Sequence, residues 1–110
     1  MGGSSTGQSV RKLASLPHYF TAQFDKELNM IVQYFISDTK EKGYLTIAKG
    51  DCIYTEGVAP EYAVEITLSD KTLQELMSKE LSYQRSFMVG KIKVKGNFAL
   101  LPKLDQIFKK

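Results

Sequence analysis

The sequence predicts an α+β domain in which one five-stranded sheet is covered by helices. Three observations lead there. Five short segments carry strand-type patterning, near residues 29–37, 44–48, 52–55, 62–68 and 91–95. Helical spacing of apolar residues appears before the first, between the fourth and fifth, and after the last. A chain of 110 residues, 43% of them apolar, suffices for one core and leaves little room for a second domain.

The elements follow in order. Residues 1–8 read as a flexible leader and 9–110 as the folded domain; Met1-Gly2-Gly3-Ser4-Ser5-Thr6 also matches an N-myristoylation pattern. From Ser9, Val10, Leu13 and Ala14 predict a short helix that Pro17 kinks or restarts, with Tyr19, Phe20 and Phe24 carrying it to about Asp25. Asn29–Ser37 is apolar on both faces, as a mid-sheet strand should be. It leads through a turn at 38–43 into Tyr44–Ala48. Lys49-Gly50-Asp51 then turns the chain into Cys52–Thr55, completing an antiparallel meander.

After a loop at 57–61, Tyr62, Val64, Ile66 and Leu68 alternate cleanly with smaller or polar residues. Ser69-Asp70 offers an N-cap, and Leu73, Leu76 and Met77 form the apolar side of a helix to about Lys79. Residues 80–90 show no period and read as irregular. Lys91–Lys95 alternates again. The positions 100, 101, 104, 107 and 108 have helical spacing, which Pro102 forces to kink or to begin near Leu101.

Chemistry finds little to work with. Cys52 is alone, which excludes an intrachain disulfide framework or a thiolate zinc cluster and suits a reducing cytoplasm. His18 is the single histidine and reads as a partly exposed helical residue. The carboxylates are scattered without acid/base or calcium-loop spacing, and the glycines fall one per turn. These observations predict no catalytic residue, no metal and no cofactor. No apolar run reaches the ~20 residues that a membrane-spanning helix needs, and Phe108-Lys109-Lys110 is not a peroxisomal address.

Charge is uneven. Residues 1–84 carry eight basic and eleven acidic residues, whereas 85–110 carry seven basic residues against Asp105 alone. Lys91, Lys93 and Lys95 share one strand face, opposite Ile92 and Val94. They form either a solvated edge or a patch for lipid headgroups and an anionic membrane surface. With no aromatic interleaved on that face, nucleic acid is not expected.

From Ile66 the chain reads ITLSDKTLQELMSKELSYQRSFMVGKIKVKGNFALLPKL. Ser69-Asp70, Leu73, Leu76, Phe87, Gly90-Lys91, Ile92, Val94, Gly96-Asn97 and Leu104 resemble the pattern of the sterol carrier protein 2 family, the non-specific lipid-transfer proteins. Upstream, Leu16-Pro17 with Phe20 and the strand end Phe35-Ile36-Ser37 also fit. The chain departs from the family at Lys79-Glu80-Leu81, at Tyr83 in place of a common proline, and at Pro102.

The resemblance implies an apolar tunnel between sheet and helices, lined by Leu73, Leu76, Met77, Phe87, Met88, Ile92, Val94, Phe98, Leu101, Leu104 and Phe108. A fatty acid, fatty acyl-CoA, phospholipid or sterol would occupy it in a monomer or weak dimer, with the last helix gating the entrance. A 16-carbon chain at ~0.8 kcal/mol per buried CH₂ has over 10 kcal/mol available before entropy costs. The competing expectation is a non-catalytic interaction or dimerisation module with a small pocket, like the accessory domains of larger enzymes.

Overall fold

The computed structural model describes residues 8–19, 29–78 and 80–107. Helix α1 (Gln8–Ser15) runs into a 3₁₀ turn, Leu16–Tyr19, which accommodates Pro17; Leu13 and Leu16 are buried. The expected continuation of this helix toward Asp25 lies outside the described residues, as does the leader except for Gln8.

Five strands follow: β1 (Met30–Ile36), β2 (Lys42–Ala48), β3 (Asp51–Glu56), β4 (Val64–Leu68) and β5 (Lys93–Gly96). Their order across the sheet is β3-β2-β1-β4-β5. β1, apolar on both faces in sequence, is the central strand. It pairs antiparallel with β2, and β2 with β3, as the meander requires. The β2–β3 hairpin turns on Lys49 and Gly50 alone, both at positive φ (54° and 81°), the arrangement whose twist matches that of the strands.

The sheet is mixed because β4 lies parallel to β1. A chain leaving β3 at one edge must cross β2 and β1 to place β4, and Gln33 in mid-β1 secures that crossing. Its side chain is fully buried. Nε2 donates to the carbonyls of Gly57 (3.0 Å) and Gly43 (3.1 Å), and Oε1 accepts from the Ala59 N–H at 2.7 Å. The alternating run from Tyr62 enters the sheet only at Val64, since Tyr62 is exposed and turned to Glu65.

β5 closes the other edge, antiparallel to β4. Gly96 sits at φ +92°, and a Cβ there would meet the Ala63 carbonyl oxygen at 2.6 Å, so the edge admits only glycine at this point. Helix α2 (Asp70–Met77) is capped by the Ser69 side chain as expected.

Residues 80–90, expected to be irregular, contain a further helix, α3 (Tyr83–Met88). Two capping devices form it, one local and one from far along the chain. Ser82 accepts from the Arg85 N–H, and the Asp105 carboxylate accepts from Tyr83 N–H at 2.6 Å and Gln84 N–H at 3.1 Å. After a 3₁₀ turn at Phe98–Leu100, α4 occupies Leu101–Ile107. Pro102 thereby falls in the first turn, where its missing N–H leaves no bond unmade.

Candidate functional site

Strand alternation divides the sheet into two unlike faces. Met30, Val32, Tyr34, Ile36, Leu45, Ile47, Val64, Ile66 and Leu68 form an inner face that is almost wholly buried. Cys52, Tyr54 and Val94 extend it toward both edges, half-buried. Over it the helices lay Leu13, Leu73, Leu76, Tyr83, Leu101 and Leu104, and all of these join one apolar cluster.

The residues expected to line a tunnel divide into two groups. Leu73, Leu76, Ile92, Leu101 and Leu104 are buried in that cluster, with Met77 and Val94 packed half-buried against it. Seven of the expected residues therefore share the layer between sheet and helices. Phe87, Met88 and Phe98 instead stand outside it, at 37%, 79% and 61% exposure, with the Phe87 and Phe98 rings stacked at 5.9 Å. Phe108 lies outside the described residues. Lys91, Lys93 and Lys95 are exposed; Lys91 reaches Glu75 at 3.4 Å.

Sequence reasoning missed a line of polar groups inside the apolar layer. The Tyr34 and Tyr83 hydroxyls meet at 2.9 Å, both side chains buried. The signal was available: Tyr34 falls in the same alternation as Val32 and Ile36, so it had to face inward. Burial, foremost, holds both phenols well above their ordinary value of 10.0, and each lies near enough to Cys52 to feel it. The Cys52 thiol is itself pushed up by burial to about 12. Tyr54, packed against Gly43, is raised to about 12 by burial and then by Glu56 and Glu41.

The Tyr54 hydroxyl is buried with no hydrogen-bond partner among the described residues. Together these groups are neutral near pH 7. They can donate or accept a hydrogen bond inside an apolar space, and the thiol is too weakly ionised to act as a nucleophile. Among the described residues, no three His, Cys, Asp or Glu side chains converge as a metal ion would need.

Open grooves among the described residues lie at the sheet end and on α3. One, about 440 Å³, lies at the end of the sheet among Asn29–Ile31, Thr46–Ala48 and Glu61–Ala63. The other, about 480 Å³, lies on α3 between Ser82, Gln84, Arg85, Met88 and Val89. Of the expected lining residues that are described, Met88 alone borders either groove.

Comparison with known proteins agrees with this architecture. The family described as SCP-2 sterol transfer matches residues 22–109. The oleate-induced peroxisomal protein POX18 of Candida maltosa is 36% identical over 78 residues, 71% of this chain and 56% of that protein. A fatty acid-binding protein of Yarrowia lipolytica is 41% identical over 46 residues, 42% of this chain and 36% of the relative. The match thus spans little more than half of the first relative and about a third of the second.

Among solved structures, the apo form of sterol carrier protein 2 from Yarrowia lipolytica superposes with a TM-score of 0.62. It is 27% identical, over 94% of this chain and 78% of that one. A five-stranded mixed sheet, a helical cover and a matching sequence pattern thus agree, and the chain belongs to the SCP-2 sterol transfer family.

Proposed function

We propose that this domain carries one long-chain lipid and performs no bond chemistry on it. The observation that carries this reading is the continuous apolar layer in which Leu73, Leu76, Met77, Ile92, Val94, Leu101 and Leu104 come together between sheet and helices. An acyl chain would part that layer, its stability resting on buried CH₂ area. The neutral hydroxyls of Tyr34, Tyr54 and Tyr83 would offer a polar end of the cargo its hydrogen bonds.

A fatty acid or fatty acyl-CoA is the favoured cargo. The relatives that support it are named for oleate induction and fatty-acid binding. Movement of α4 would admit the chain, and Lys91, Lys93 and Lys95 would face a headgroup or an anionic membrane surface. Among the described residues no helix is long and apolar enough to cross a membrane. We place the protein in the cytoplasm on its unpaired Cys52, whereas the Candida relative is named for the peroxisome; cell fractionation separates the two.

Native mass spectrometry of freshly purified protein tests the proposal. A monomer with one acyl-chain mass attached is the expected result. An empty dimer would overturn it in favour of a non-catalytic interaction module.

A further inference from the structure

Tyr54 is a hydrogen-bond donor that the fold leaves over. It packs half-buried against the apolar layer from β3, with its hydroxyl enclosed and unpartnered among the described residues. Gly43 makes the room for it. The hydroxyl fills the space that a Cβ on Gly43 would take, and the Gly43 carbonyl is already engaged by Gln33 Nε2 at 3.1 Å. Gly43 pairs with Tyr34 across β1 and β2, so the Tyr54 hydroxyl lies beside the root of Tyr34, whose own hydroxyl meets Tyr83.

These three phenols have more protons to give than they use. One hydrogen bond joins Tyr34 to Tyr83, and Tyr54 makes none among the described residues. The complement is a group that only accepts. A carbonyl oxygen offers two lone pairs and brings no proton of its own.

That group should also be uncharged. The charged side chains that act on these phenols are Glu56 and Glu41 at Tyr54 and Asp105 at Tyr83, all of them carboxylates. Lys12 and Lys91 are held by Asp70 and Glu75. A buried carboxylate would meet like charge, and one neutral donor does not offset its lost hydration. Ser86 also carries an enclosed hydroxyl without a partner, but that residue is wholly buried on α3. Tyr54 is half-exposed on an edge strand, which leaves the rest of an ester a short way out.

We propose that Tyr54 is a specificity-determining residue: its hydroxyl donates to the carbonyl oxygen of an esterified acyl chain, so the domain selects acyl esters and thioesters over the free fatty acid anion. The seat rests on the carrier reading above and narrows its cargo. The acyl chain runs from Tyr54 into the apolar layer, and the alcohol or thiol part leaves past β3.

Binding of cis-parinaric acid, its methyl ester and the corresponding alcohol at pH 8, followed by the fluorescence of each probe, tests the seat. The unmodified protein should bind the ester at least about tenfold more tightly than the acid. Tyr54→Phe should weaken the ester about three- to tenfold, the alcohol less, and the acid little. It should melt no lower than the unmodified protein, since the hydroxyl it removes makes no bond among the described residues. Ser86→Ala should leave the ester preference intact.

An acid that binds as tightly as the ester would overturn the seat. So would an ester preference that survives Tyr54→Phe, one abolished by Ser86→Ala instead, or an alcohol that loses as much as the ester. Each of these outcomes still shows a bound lipid and leaves the carrier reading standing. Binding of none of the three probes overturns the carrier reading, and the seat falls with it.

Discussion

Tyr34 and Tyr83 show why single residues in this core are not interchangeable with their apolar look-alikes. Each hydroxyl satisfies the other at 2.9 Å where solvent does not reach. Tyr83→Phe leaves the Tyr34 hydroxyl buried and unpaired, and should cost about 1–3 kcal/mol in urea denaturation. The double variant Tyr34→Phe/Tyr83→Phe should cost clearly less than the two single losses added together, because no orphan remains.

Ionisation gives a second residue-scale prediction. The folded-state values of Cys52, Tyr34, Tyr54 and Tyr83 all lie above their ordinary ones. Folding therefore favours the protonated forms, and the unfolded chain loses these protons first as pH rises. These groups leave stability unchanged between about pH 7 and 9; it should begin to fall beyond 9.0 as the unfolded Cys52 ionises, and fall further beyond 10.0 with the tyrosines. Melting temperatures across this range check it. At pH 8, a thiol at about 12 rather than 9.0 holds about a thousandfold less thiolate, so native Cys52 should react with a disulfide reagent far more slowly than in urea.

At the scale of elements, the two unexpected features are long-range devices. α3 is six residues long, too short for helical periodicity to register, and two of its three N-terminal capping hydrogen bonds go to Asp105, 22 positions downstream of Tyr83. Asp105→Ala should cost about 1–2 kcal/mol and loosen α3 first, as local hydrogen exchange would report. Gln33 reads as an anomaly in an otherwise apolar strand until the β3–β4 crossing supplies its partners. Gln33→Leu keeps the size but strands the Ala59 N–H, and should cost about 2–4 kcal/mol in the same assay. Pro102 resolves locally: the helix begins one residue before it, and the preceding turn is 3₁₀.

For the molecule as a whole, the apolar layer beneath α2 and α4 is both core and proposed cargo site. That dual role predicts where substitutions will separate stability from binding. Met77, at the half-buried edge of the layer, can take a polar head without burying it fully. Met77→Lys should weaken cis-parinaric acid binding roughly tenfold, with melting little changed. Ile53→Lys, on the other face of the sheet, should leave both unaltered. Equal loss of binding in the two variants would refute a site between sheet and helices.

The sequence by itself determined the α+β class, the meander, the Ser69 cap and the outward lysine row, because each depends on a period or a turn that a few adjacent residues specify. It also carried the family pattern across residues 66–97. Tertiary structure alone decided that β4 runs parallel to β1, that Gln33 and Asp105 serve as distant anchors, and that Tyr34 meets Tyr83. It also turned Phe87, Met88 and Phe98 outward while Leu101 and Leu104 went in. Periodicity reports that a side chain is apolar and which stripe it shares. What covers that stripe depends on residues many positions away, so burial and exposure at this corner were settled only when α3 and the turn at Phe98 came together.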